Sequence, residues 1–382
     1  MARIAFVSDA AYPWVQGGVQ ASEYKVMREL AKKHTVYSFS LMFKGMRPSF
    51  SKDGIHYIAF RKSDAGELYV KGKRSIALAR AFAAGIGKVM DGYSFDLVVA
   101  NAFPYLHIAA VKRHCRKTGA KLVLDVAEVW DLAYWKRYLG AVKGTLAHMY
   151  MKRALKDADA YIANSSTTAE KLHAMGIEKG KVRIFSPILD ASYMGGIKAG
   201  RPKNRIIYVG RLVKEKKVEM LVMAAKSAAR MEPGLKVLIV GEGPEEGALR
   251  SMVAREGLEG TAEIIPPIKK EHELYKAIKE SKVLVNMSER EGLSAIAIES
   301  LALGTPVLLP SYTPIPEEVR RMCVVKNIGE MPIAMAQIVD AKNKTSFIKH
   351  REELKRFRIS EVNAFYAKLI YDLRPGTSHS QS

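Results

Sequence analysis

From residue 3 to residue 310 the chain alternates short apolar, β-branched runs with segments of helical spacing, and it does so in two successive series. Such runs, bounded by turn residues, read as strands buried on both faces, and their alternation with helices reads as parallel strands joined by crossover helices. The first series comprises 4–8, 35–39, 55–60, 97–101, 122–126, 160–164 and 182–185, which predicts one doubly wound sheet. The second begins with RIIYVG at Arg205 and continues through LKVLIVG, AEIIPPI, KVLVNMS and TPVLLP, which predicts a second sheet.

A chain of 382 residues is too long for one ordinary core, so two domains are expected. Their boundaries are placed at 1–188 for the N-terminal Rossmann-like domain and 205–357 for the C-terminal one. Segment 189–204, with Gly195, Gly196, Gly200 and Pro202 and no sustained period, is expected to be a hinge. Helical patterns at 346–357 and 359–373 follow, the last (358–375) expected to return to the N-terminal domain, and 376–382 is expected to be a disordered tail.

With 48% hydrophobic and 26% charged residues the chain has the apolar content of a globular protein. Its 61 Lys and Arg against 39 Asp and Glu give a net charge of +22, a field that attracts nucleotides, nucleic acids and anionic membranes alike. The excess is spread along the chain and no nucleic-acid motif is present, so a nucleic-acid partner is not expected. Cys115 and Cys323 stand alone, without a Cys-x-x-Cys or a His/Cys cluster, so neither a disulfide framework nor a metal site is indicated. A reducing cytoplasmic setting is expected. The segment 71–90 sets Lys71, Lys73, Arg74 and Arg80 beside Ile76, Phe82, Ile86 and Val89, a pattern that fits either a core helix with a basic face or a helix lying on the inner face of an anionic membrane.

Three loops carry the chemistry. Glu291-Gly292-Leu293 lies between a strand and a helix expected to open at Ser294, with Glu299 eight positions after Glu291; free N–H groups at Gly292, Leu293 and Ser294 would form an anion site at the helix start. Two carboxylates flanking such a site suit the hydroxyls of a sugar nucleotide. Gly210-Arg211 to Lys216 follows the strand at 205, and its guanidinium and ammonium could grip a diphosphate. Gly241-Glu242-Gly243-Pro244 again follows a strand, at the edge where open α/β sheets bind ligands. Each loop alone is an ordinary turn or solvated surface; their shared position after successive strands gives them weight. At the N-terminus Gly17 and Gly18 open a helix with Val19, Val26 and Leu30 at helical spacing, and could face the donor phosphates.

SEREGLSAIAIESLALGTPV, GRLVKEK and KRALKDADAYIANSSTTAEKL together resemble the family 4 retaining glycosyltransferases, and the resemblance extends over nearly the whole chain. It implies the GT-B architecture, in which two Rossmann-like domains face each other across a cleft. It also implies that Glu291 contacts donor-sugar hydroxyls, Glu299 the nucleotide ribose, and Arg211 and Lys216 the leaving diphosphate. Gly17 and Gly18 align with the family's glycine loop, and Ser165 or Ser166 is expected as a helix cap.

The His that many members of that family carry after the strand at 122 is absent; Ala127 and Glu128 stand there, which makes Glu128 and Asp131 candidates to orient or deprotonate the acceptor. His107 ranks below Glu128. The resemblance implies transfer of a hexose from a UDP-sugar or GDP-sugar to a glycan or lipid-linked acceptor, with retention and without a covalent enzyme nucleophile. No DxD pair sits on a suitable loop, so no obligatory metal or other cofactor is expected. A sugar-nucleotide epimerase of the same fold is the competing enzyme class, and the spacing of Glu291 and Glu299 argues against it.

Overall fold

The computed structural model describes residues 1–15, 17–70 and 73–374. It divides into two units, Met1–Pro187 with Ile359–Ser382, and Ile188–Arg358.

The first unit is built on β1 (Arg3–Val7), β2 (Thr35–Met42), β3 (Ser49–Lys52), β4 (Ile55–Lys62), a two-stranded ribbon of β5 (Tyr69–Val70) and β6 (Lys73–Arg74), then β7 (Leu97–Asn101), β8 (Lys121–Val126), β9 (Ala160–Ala163) and β10 (Val182–Ile184). The main sheet has the order β10-β9-β8-β7-β1-β2-β4-β3. All its neighbours are parallel except β3, which returns antiparallel along β4. β3 was not foreseen, because SFSK has the polar, half-exposed pattern of an edge strand and not the apolar run of an interior one. The central strands are buried end to end: every residue of β7 is buried, as both sheet faces are covered by helices.

The chain returns to this unit at Ile359. In the helix Val362–Asp372, Val362, Tyr366 and Leu369 pack with Ile4, Phe6, Val26, Met27 and Leu30. The expected tail 376–382 lies outside the described residues, as does Lys71. The rest of the segment proposed for membrane contact forms the helix Ile76–Met90. Its Phe82, Ile86 and Met90 are fully buried in the core, and Arg74 is ion-paired with buried Asp9. The apolar side that a bilayer would need is therefore already used against the sheet, and the membrane reading of this helix is corrected to a core helix.

The second unit contains β11 (Arg205–Val209), β12 (Lys236–Val240), β13 (Ala262–Ile265), β14 (Val283–Val285), β15 (Val307–Pro310) and β16 (Val324–Lys326). They form one wholly parallel sheet of order β13-β12-β11-β14-β15-β16. β16, three half-buried residues at the sheet edge, was not anticipated.

Segment 189–204 is part of this unit. A short helix, Ala191–Gly195, is capped by Asp190, whose carboxylate accepts from the Tyr193 N–H, and Ile188, Leu189, Met194 and Ile197 are buried with Tyr275 and Leu309. Its apolar residues are too few and too irregularly spaced to show a period, but they suffice to anchor it. The pattern at 346–357 also resolves differently: it gives the 3₁₀ turns Lys344–Phe347 and Arg351–Phe357, interrupted by His350 in the left-handed region at φ 47°. A non-glycine residue there breaks the i→i+4 ladder of an α-helix.

Candidate active site

The order of the second sheet fixes where a ligand can be held. β12 and β13 lie on one side of β11, whereas β14, β15 and β16 lie on the other, so the winding direction reverses between β11 and β14. Crossovers on opposite faces leave a crevice at the carboxyl ends of strands flanking such a reversal. The loops after β11, β12 and β14 are the three singled out from sequence, and they leave three adjacent strands.

The first two loops are sewn together by backbone. The Leu212 N–H donates to the Glu242 carbonyl at 2.8 Å and the Glu245 N–H donates to the Leu212 carbonyl at 3.0 Å. A Cβ on Gly241 would stand 1.9 Å from the Gly210 carbonyl oxygen, and one on Gly243, at φ 158°, would stand 2.3 Å from that of Leu212. These glycines are needed for the approach of one loop to another. Glu242 contributes its carbonyl to this seam, and its side chain is exposed.

Across the reversal, the Lys216 ammonium donates to Glu291 Oε1 at 2.7 Å, with both side chains largely shielded from solvent. Asn286, at the end of β14, donates from Nδ2 to the same oxygen at 2.9 Å and to Ser294 Oγ at 3.3 Å. Main chain reinforces the link, for the Glu289 N–H donates to the Glu215 carbonyl at 2.9 Å. Arg290 adds an ion pair with Glu215 at 3.1 Å.

Ser294 occupies the left-handed region at φ 63° and stands as N-cap of the helix Ala295–Ala302, with no side-chain capping bond of its own. Leu293 is buried beneath the loop and Gly292 is half-buried beside it. Arg211 is exposed on the loop after Gly210, and its carbonyl accepts from the buried Tyr208 hydroxyl at 2.9 Å. Burial and the neighbouring Glu291 carboxylate raise the Tyr208 phenol well above its ordinary pKa, so it remains a neutral donor.

Glu299, about one turn into the helix, accepts from the Tyr275 hydroxyl at 2.8 Å; the same hydroxyl lies 2.9 Å from Glu271 Oε1. Burial first, then these two carboxylates, hold the phenol far above its normal range. A phenol has one proton and here faces two carboxylates, a fork that fixes the position of Glu299. Neither Tyr275 nor Asn286 was picked out in the sequence. Asn286, in the NMS that ends a strand run, had a positional signal; Tyr275 had none beyond helical spacing.

The remaining expected residues belong to the first unit. Gly17 is the N-cap of the helix Gly18–Ala31, with an extended φ of −175° that any residue adopts. Glu128 follows β8 and is half-buried, and its carbonyl accepts from the Tyr105 hydroxyl at 3.3 Å. Asp131 caps the helix Leu132–Leu139, its carboxylate accepting from the Tyr134 N–H at 2.7 Å. Ser165 caps the helix Ser166–Ala174. His107 is fully buried, donates from Nε2 to the Asn101 carbonyl at 2.9 Å, and is pushed down to about 4 by burial; it is a neutral core residue.

This sheet also reverses direction, between β1 and β7, and there the sequence reading missed a buried pair, Asp9 with Arg74. Their partnership spans 65 positions and leaves no local signature. Cys115 and Cys323 are buried free thiols, both raised to about 12 chiefly by burial.

With the Glu291 loop placed at the reversal of a parallel sheet, the family matches agree with the geometry: residues 196–356 match Glycosyl transferases group 1 and residues 17–187 match the Glycosyl transferase 4-like domain. The chain belongs to the GT-B glycosyltransferases of the group 1, family 4 type. Among relatives of this glycosyltransferase, a D-inositol 3-phosphate glycosyltransferase of Nocardia farcinica is 30% identical over 174 residues, 41% of this chain and 38% of that one. The chain spans between 29% and 50% of the length of curated relatives it matches.

Among solved structures, sucrose-phosphate synthase from Thermosynechococcus elongatus superposes with a TM-score of 0.75 at 18% identity, covering 98% of this chain and 99% of that one. Anabaena Alr3699/HepE in complex with UDP-glucose gives 0.70 at 13% identity, covering 97% and 100%. At these identities the likeness is one of fold.

Proposed function

We propose that this glycosyltransferase moves a hexose from a nucleoside-diphosphate sugar to an acceptor hydroxyl, with retention at the anomeric carbon. The observation that carries the donor assignment is the Lys216–Glu291 pair at the β11/β14 reversal, beside the start of the helix Ala295–Ala302. A cation held against an acid at a helix start is a site divided by charge: the ammonium and backbone N–H groups suit a phosphate, and the carboxylate suits hydroxyls.

In this reading Arg211 and Lys216 hold the diphosphate and stabilise the charge that develops as it leaves, so that no metal is required. Gly292, Leu293 and Ser294 line the phosphate with backbone, Glu291 accepts from sugar hydroxyls, and Glu299, fixed by Tyr275, accepts from the ribose. Electrostatic stabilisation of a leaving anion is commonly the largest catalytic contribution. Glu128, which follows β8, is the candidate to orient the acceptor, a glycan or a lipid-linked saccharide. The solved neighbour that holds UDP-glucose supports a UDP-sugar as the first donor to test. No helix among the described residues is long and apolar enough to cross a membrane. The free thiols suit a reducing compartment, which supports action at the cytoplasmic side.

The test is thermal unfolding of the purified protein against UDP, GDP, ADP and CMP and their sugars, repeated with Glu299→Ala. Stabilisation by one nucleoside diphosphate that Glu299→Ala abolishes supports the donor site and names the base. A shift that persists in Glu299→Ala places the nucleotide elsewhere and overturns the assignment. The anomeric configuration of the product, read by NMR, then decides retention.

A further inference from the structure

The helix Ala141–Leu155 is apolar on two opposite sides. Its inward side holds Gly144, Met151, Ala154 and Leu155, all buried. Contact there is close: a Cβ on Gly144 would stand 2.3 Å from the Trp135 carbonyl oxygen of the preceding helix, so the core-facing side is fully used. The opposite side carries Val142, Leu146 and Met149, which are 74%, 61% and 61% exposed, with Tyr150 at 38%. At 100° per residue Val142, Leu146 and Met149 form one stripe at i, i+4 and i+7, continued by Arg153 at i+11. Lys143 borders it on one edge and Lys152 on the other, all exposed.

A solvent-facing stripe of large aliphatic side chains is disfavoured by the hydrophobic effect unless something covers it. The charge around it says what. From Leu132 to Lys156 the sequence has Lys136, Arg137, Lys143, Lys152, Arg153 and Lys156 and no Asp or Glu. A second copy packed stripe to stripe about a two-fold axis would bring these like charges together without a compensating acid. An anionic bilayer accepts both features: aliphatic side chains enter the acyl boundary while Lys and Arg at the stripe edges reach up to phosphate headgroups.

We propose that the helix Ala141–Leu155 is the surface by which this protein docks on an anionic lipid bilayer, inserting Val142, Leu146 and Met149. The inference is independent of the donor assignment, and it places the membrane contact on a different helix from the basic, apolar segment that ends at Met90.

The test uses the full chain and vesicles of phosphatidylcholine alone or with phosphatidylglycerol. The protein should co-sediment with the phosphatidylglycerol vesicles, more weakly in high salt, and hardly at all with phosphatidylcholine. Leu146→Glu/Met149→Glu should bind at least about tenfold more weakly, since it removes apolar insertion and adds repulsion. The matched pair Met223→Glu/Ile333→Glu, two exposed apolar positions of the second unit, should bind as wild type.

As a second readout that keeps the stripe intact, Val142→Trp should show a blue-shifted emission on phosphatidylglycerol vesicles that the unsubstituted protein does not. Failure to bind those vesicles, equal binding by Leu146→Glu/Met149→Glu, or an emission from Val142→Trp that does not shift on the vesicles overturns the proposal. So does a wild-type dimer in sedimentation that Leu146→Glu/Met149→Glu dissociates without lipid.

Discussion

Lys216 and Glu291, 75 positions apart, meet at 2.7 Å across the point where the second sheet reverses its winding. Neither side chain is exposed, so each neutralises the other, and binding of a diphosphate would draw Lys216 toward phosphate and leave Glu291 to the hydroxyls. Lys216→Ala should therefore lower kcat by roughly 10²–10³-fold, the usual cost of losing one charge-stabilising donor. Steady-state kinetics check this, and a thermal midpoint within a few degrees of wild type would exclude unfolding as the cause. Arg211→Ala, at an exposed position, should cost a similar factor in turnover with still less effect on stability.

Tyr275→Phe tests the fork that holds Glu299. Removing the hydroxyl leaves Glu271 and Glu299 without their shared donor while the ring still fills its place in the core. The expected result is an increase of about 5–10-fold in donor KM with little change in kcat, the equivalent of one hydrogen bond of about 1–1.5 kcal/mol acting on binding. A fall in kcat at unchanged KM would give Tyr275 a different role.

Gly241→Ala should destabilise the second unit, because no movement of a side chain can relieve a Cβ placed 1.9 Å from the Gly210 carbonyl oxygen. The loops must part to admit it. A loss of about 1–3 kcal/mol is expected in denaturant unfolding, together with weaker nucleotide binding. The same substitution at Gly247, where a Cβ meets nothing within 4 Å, should be harmless.

Glu23 gives a pH-dependent prediction. Burial, then Asp125 and Asp9, raise its carboxyl from 4.5 to about 8. Between those pH values the unfolded chain has released the proton and the folded protein retains it, so this group makes stability fall as pH rises, and has no such effect below pH 4.5. Glu23→Gln removes the titration. It should raise the unfolding free energy at pH 8 by a few kcal/mol, on the order of 2–4, and leave it unchanged near pH 4.5. Thermal or urea unfolding of both proteins at the two pH values checks the sign.

Much of the architecture was legible because parallel strands buried on both faces are near-continuous apolar runs, and the runs at 97–101 and 205–209 have that form. The loops with chemistry were legible for the same reason, since whatever follows such a strand lies at the sheet's carboxyl edge. Half-exposed edge strands such as β3 and β16 lack that constraint and were missed. Glu291 and Glu299 could be paired by spacing along one segment, whereas Asn286 acquires its role from the way the loop after its strand folds back onto it, and Tyr275 and the Asp9–Arg74 pair from partners on other elements.

The helices Ile76–Met90 and Ala141–Leu155 mark the boundary most clearly. Both combine basic residues with apolar ones at helical spacing, and periodicity alone makes the first look more like a surface helix. Sequence by itself determined that the segment ending at Met90 has a helical pattern, that helices alternate with parallel strands in two series, and which loops those strands present. Which side of each helix meets the sheet, and which far-apart charges meet each other, only the tertiary structure decided. Helical period states that an apolar side exists, but whether core or solvent lies against it depends on where the sheet passes.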